Sequence, residues 1–125
     1  INAEYGISLE QVQEAILQLI MKQSRLTQQE IDNTQDGKIK KGCLMLTKEE
    51  YEESAFSKRK DFMFVIAKNL KAVSSKLFQY CSLQFVFMPE VESISDRGFF
   101  GCPLTAICFL TVKSIGDWAF NCCSL

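Results

Sequence analysis

Histidine is missing from all 125 residues. That one absence removes His-dependent triads and dyads, imidazole metal ligands and the usual general base near neutral pH. Charge of one sign is also missing: 14 basic residues face 15 acidic ones, for a formal net charge of −1. Without a basic field, nucleic acid is not an expected partner. No apolar run approaches the length of a bilayer span; Phe62-Met-Phe-Val-Ile-Ala67 is strand-sized, so membrane insertion is not expected. There is no Cys-x-x-Cys pair, so neither a zinc site nor any other metal or cofactor is expected. No secretory signal and no Asn-x-Ser/Thr sequon is visible, which favours the cell interior over its surface. The start at Ile1 rather than Met fits a processed or cut form.

What is present begins with capping signals. Residues 1 to about 35 read as helix. Ser8-Leu-Glu-Gln11 fits a capping box, in which the Ser oxygen accepts a backbone N–H and Gln11 reaches back. Leu9, Val12, Ile16, Leu19 and Ile20 then make one apolar stripe at helical spacing, expected to pack on the chain's own domain. Thr27-Gln-Gln-Glu30 opens a second, short helix in the same way. Asp32 to Ile39 imitates the start of a calcium loop, but Cys43 stands where a bidentate Glu is needed, so a polar Asp36-Gly37 turn is expected. Thr47-Lys-Glu-Glu50 reads as a third capping box, opening a helix through Tyr51 and Ala55. Its acidic first turns and the Lys58-Arg59-Lys60 end have the polarity a helix dipole favours. Nineteen of the 29 charged residues lie before residue 61, which places a boundary there between a helical capping region, 1–60, and a different second part, 61–125.

The second part repeats. Phe78-Gln-Tyr-Cys81-Ser-Leu83 returns as Phe99-Phe-Gly-Cys102-Pro-Leu104 and as Phe120-Asn-Cys-Cys123-Ser-Leu125, a step of 21 residues. Val73, Ile94 and Ile115 keep the same step, as do Leu70, Val91 and Val112. A period of this size means stacked units, none of which buries its own apolar face alone. The Leu-x-x-Ile-x-Ile segment of each unit gives a short strand, and stacked strands make a parallel ladder of about 4.8 Å per rung. The expected inward columns are Val65, Val86, Ile107; Ala67, Met88, Phe109; Val73, Ile94, Ile115; and Phe78, Phe99, Phe120. A brief helical or 3₁₀ segment is expected to turn the chain at Phe99 and Cys102.

Over residues 62–125 these columns resemble the BspA-like leucine-rich repeats, and Ser114-Ile-Gly-Asp-Trp-Ala-Phe120 is the closest stretch. The unit here is a little shorter, and Lys68 and Leu110 stand in place of Pro89. The resemblance implies an α+β chain: N-terminal helices packed on a short leucine-rich-repeat solenoid with a small parallel strand ladder. It also implies a non-catalytic protein-interaction or structural scaffold module, with a fragment of a cell-surface adhesion protein as the alternative. Catalysis is not expected, since no pair of carboxylates shares a pocket; Asp96 and Asp117 fall in a turn column.

Cys81, Cys102 and Cys123 share one column, which reads as a small apolar side chain at a tight turn, with free buried thiols. Strand alternation puts Phe64, Ile66, Phe85, Phe87, Ala106 and Cys108 on the outward side of the ladder. An apolar strip there has two readings: the N-terminal helices or another copy cover it, or it binds a protein partner. The expected partner is a protein or a second copy; no small-molecule substrate is expected. The chain stops at Leu125 inside a unit with no polar cap, so a fragment of a longer array, or an end stacked on another molecule, is expected.

Overall fold

The computed structural model describes residues 8–123. Ser8 and Thr27 both close full capping boxes, with Gln11 and Glu30 as the reciprocal partners. They open α1 (Leu9–Ser24) and α2 (Gln28–Asn33). α1 ends where Arg25 turns left-handed at φ 63°. Lys41 Nζ then donates to Glu30, 2.9 Å away. That bond, with the Thr27 N–H bond, pushes the Glu30 carboxyl down to about 2.

Asp36-Gly37 forms a turn, with Gly37 at φ 77°. It leads into a hairpin of β1 (Ile39–Lys40) and β2 (Cys43–Leu46), closed by Lys41 and Gly42 at positive φ. From β2 onward, pairing is parallel. β2 pairs with β3 (Phe64–Ala67) in the register Cys43 to Phe64, and β3 with β5 (Phe85–Phe87) in the register Phe64 to Phe85. A second ladder runs through β4 (Ala72–Val73), β6 (Ser93–Ile94) and β7 (Ser114–Ile115). Every parallel step is 21 residues. The described residues are thus a mixed α and β structure with one long helix and two small open sheets.

The rungs turn without helix. Residues four apart take positive φ in each turn: Ser54 and Lys58, Lys76 and Tyr80, Arg97 and Gly101, Trp118 and Cys122. Two left-handed residues so close together stop any helical run, which is why the expected helical or 3₁₀ segment is absent. The turns stack by backbone bonds. Lys76, Phe78 and Tyr80 N–H donate to Asp96, Gly98 and Phe100 carbonyls, and Arg97, Phe99 and Gly101 donate to Asp117, Ala119 and Asn121.

The helix expected from Thr47 does not form; residues 47–60 are bends, turns and irregular chain. Ser54, Phe56 and Lys58 N–H donate to Ser75, Leu77 and Gln79 carbonyls, so this stretch is the first turn of the stack. The Phe56 ring stacks on Phe78 at 5.8 Å. Tertiary stacking has overridden a local helix signal, as it can wherever it satisfies the same backbone groups. A rung therefore lies inside the segment assigned to the helical cap.

Two cores result. The inner one holds Val65, Ala67, Val73, Phe78, Val86, Met88, Ile94 and Phe99 between the ladders and the turns, all buried as expected. The Phe78, Phe99 and Phe120 rings stack at 5.5 Å per step. Burial fades at the last rung: Ile107, Phe109 and Phe120 are half-buried and Ile115 is 58% exposed. Ile115 misses its expected inward place because no further rung covers it among the described residues. Leu125 lies outside them.

Candidate functional site

The second core lies on the outward face of the sheet. Ile16, Leu17 and Ile20 of α1, Leu26, and Ile31 of α2 pack on Cys43, Met45, Phe64 and Ile66, with Phe85, Phe87 and Cys108 at the margin. Buried Gln13 extends the seat by donating from Nε2 to the Cys108 carbonyl at 3.2 Å. Of the two readings of the strip, cover by the N-terminal helices is what the structure has over Phe64 and Ile66. Phe64 and Ile66 are each 2% exposed, out of a partner's reach while the helices are seated. Phe85 and Phe87 are half-buried under α1, and Ala106 and Cys108 are half-buried where the ladder narrows to a single bridge, Phe85 to Ala106. The six residues do share a face, but the chain itself covers most of it.

The thiols do more than fill space. Cys81, Cys102 and Cys123 each donate from Sγ to a carbonyl of the preceding rung, on Phe56, Phe78 and Phe99, at 2.9, 2.9 and 3.1 Å. A carbonyl acceptor one rung away is not visible in a 21-residue spacing, so the sequence suggested only a small apolar group. All the described cysteines are free. Burial pushes the Cys43 thiol up to about 12, Cys81 to about 11 and Cys102 to about 12. Only the thiolate alkylates readily. Iodoacetamide is therefore expected to label exposed Cys122 in the native protein, and Cys43, Cys81 and Cys102 only after unfolding. Peptide mass mapping reads the order, and early labelling of Cys81 or Cys102 would contradict the column. Among the described residues no cluster of three His, Cys, Asp or Glu is placed to hold a metal ion.

Among the described residues the two most exposed large apolar side chains are Ile115 and Trp118. Trp118 is 57% exposed, and Arg97 lies over its ring at 4.8 Å. Phe100 stacks on it from one rung back, and Tyr80 meets Phe100 edge-on. With Ile115 exposed and Val112 and Phe120 half-buried, aromatic and aliphatic surface gathers at one end of the stack. The opposite end is polar. The Asp36 carboxylate accepts from the Thr47 N–H and the Tyr51 hydroxyl, Tyr51 packs edge-on to Phe56, and Glu49, Glu50, Glu52 and Glu53 lie nearby. Aromatic residues with arginine at an apolar edge are what protein contacts are rich in.

The model of the BspA type leucine rich repeat region matches residues 49–125, in six copies. The match takes in the Glu49–Lys60 turn that the sequence reading gave to the cap. No curated protein and no solved structure matches the chain significantly. No helix among the described residues is long and apolar enough to cross a membrane.

Proposed function

The chain belongs to the family of BspA-type leucine-rich repeat regions, and on that premise we propose that it is a protein-interaction module that works as a scaffold, without catalysis. In this reading the stacked rungs are a short solenoid, α1 and α2 are a cover for its strand face, and the partner docks on the Tyr80, Phe100 and Trp118 strip of the turns. The observation that carries it is an aromatic strip along the outside of the turns. Tyr80 is 42% and Trp118 57% exposed, with Phe100 packed between them and Arg97 over the Trp118 ring. A contiguous exposed apolar strip of this kind marks an interaction site. The partly covered margin formed by Phe85, Phe87, Ala106 and Cys108 would be a further contact surface.

The test is a photoreactive side chain at Trp118, compared with one at Glu14 on the exposed face of α1. Both proteins are irradiated in an extract of the source cells. Crosslinking to a discrete polypeptide from position 118 and not from position 14 supports the reading. Equal labelling from both, or none from position 118, overturns it.

A further inference from the structure

The turn face that carries the aromatic strip is charged with one sign. Its stretches are 54–58, 76–80, 97–101 and 118–122, held in register by backbone bonds between rungs. The charged residues among them are Lys58, Lys76 and Arg97, and none is acidic. Lys60 adds a cation beside them, its Nζ donating to the Tyr80 carbonyl. On a chain of net charge −1 this face is a local reversal of sign. Among the described residues none of these four cations makes an ion pair, whereas Arg59, between two of them in sequence, pairs with Asp61 at 2.6 Å.

The apolar part of the face is built in. Tyr80 turns left-handed at φ 59°, and its ring lies over Gly101, where a Cβ would come within 2.6 Å of it. Only glycine leaves room for the ring there. Phe100 packs edge-on to Tyr80 at 5.3 Å and stacks on Trp118 at 6.0 Å. A base inserted between two rings needs about 7 Å, twice the base spacing of about 3.4 Å. The three rings touch one another and so form a continuous ridge, not a set of stacking slots. That favours a protein segment over single-stranded nucleic acid.

We infer that the segment docking here is an acidic stretch of a partner protein, with apolar side chains on the Tyr80, Phe100 and Trp118 ridge and carboxylates on Lys58, Lys60, Lys76 and Arg97. Arg97 can serve both, because a guanidinium stacked on a ring keeps its N–H edge for a carboxylate. Glu53, Asp96 and Asp117 stand one position before their turn stretches and bound the face on one side. They repel an acidic segment from that edge and so fix where it lies. Asp96 is turned along the stack, accepting from the Asp117 N–H at 2.7 Å. Charge arranged in this way sets partner choice and encounter more than raw affinity.

This inference rests on the reading that the strip is the docking site, and names the chemistry of its partner. The test is selection of random peptides displayed on phage against the 1–125 chain, followed by fluorescence anisotropy with the recovered peptides. Those peptides are expected to be rich in Asp and Glu around an apolar residue, and their binding to weaken as salt rises. Lys58→Glu and Lys76→Glu, both at exposed positions, are each expected to weaken binding about fivefold. Glu14→Lys on the exposed face of α1 is expected to leave it unchanged. Circular dichroism melts check that each variant folds. Binders without acidic bias, acidic binders indifferent to both lysine changes, or a selection that returns no binder, each overturns the inference. Binding of labelled poly(dT) that is lost in the same variants overturns it in favour of nucleic acid. Binders without acidic bias that are lost on Tyr80→Ala would leave the docking strip standing and remove only the acidic partner.

Discussion

Phe99→Ala is expected to lower the free energy of unfolding by about 3–5 kcal/mol, read as a fall in the urea midpoint at unchanged slope. Phe99 is fully buried in the middle of the aromatic column. Its ring stacks at 5.5 Å on Phe78 above and on Phe120 below, and lies 6.2 Å from Phe109. Truncation leaves a cavity that the rungs cannot close, because backbone bonds from Phe78 to Gly98 and from Phe99 to Ala119 fix their spacing. Against a total of about 5–15 kcal/mol for a domain, that is a large fraction. Phe120→Ala removes the same ring from a half-buried place and is expected to cost less than half as much. Equal losses at the two positions would mean that burial in the stack does not set the energetics.

That gradient along one column shows how far the period could be read. A recurrence of Phe at 78, 99 and 120 placed the inner core, the parallel pairing and its register before any coordinates. Capping boxes at Ser8 and Thr27 located both helices. The third box, at Thr47, is chemically as good, and it misled. Leu44 to Leu46 precede Val65 to Ala67 by 21 residues, but Phe56 precedes Phe78 by 22. One extra residue before the Phe78 turn broke the period and hid the first rung. The positive φ values at Lys76, Tyr80, Arg97 and Trp118 were equally hidden, since no glycine marks them. Alternation identified the outward face but not its cover, because which helix lies on which strand is a long-range fact.

The cover itself is open to a sharp test. Ile20 is fully buried between α1 and the sheet, with Phe64 and Ile66 in the same cluster. Ile20→Asp places a carboxyl there with no partner. Keeping it ionised in that setting costs several kcal/mol, and keeping it protonated at pH 7 costs about 1.4 kcal/mol for each unit its pKa must rise above about 3.9. The gross packing of α1 is larger than this. Its net docking energy is not, because ordering a 16-residue helix costs about 1–2 kcal/mol per residue, and packing supplies most of what holds such a helix. Release therefore wins. The variant is expected to lose hydrogen-exchange protection in α1 and to bind a hydrophobic dye at the uncovered Phe64, Ile66, Phe85 and Phe87. Amides of the turn stack, such as Phe78 and Phe99, stay protected, since their core is a separate cluster. The pH dependence has a definite sign. A carboxyl whose pKa is raised in the docked state binds more protons there, so docking is favoured at low pH. α1 should regain protection as pH falls toward the ordinary carboxyl value of about 4. Loss of protection everywhere in one transition would show that the two cores form a single cooperative unit. Unchanged protection in α1 would mean that Ile20 does not hold the cover in place.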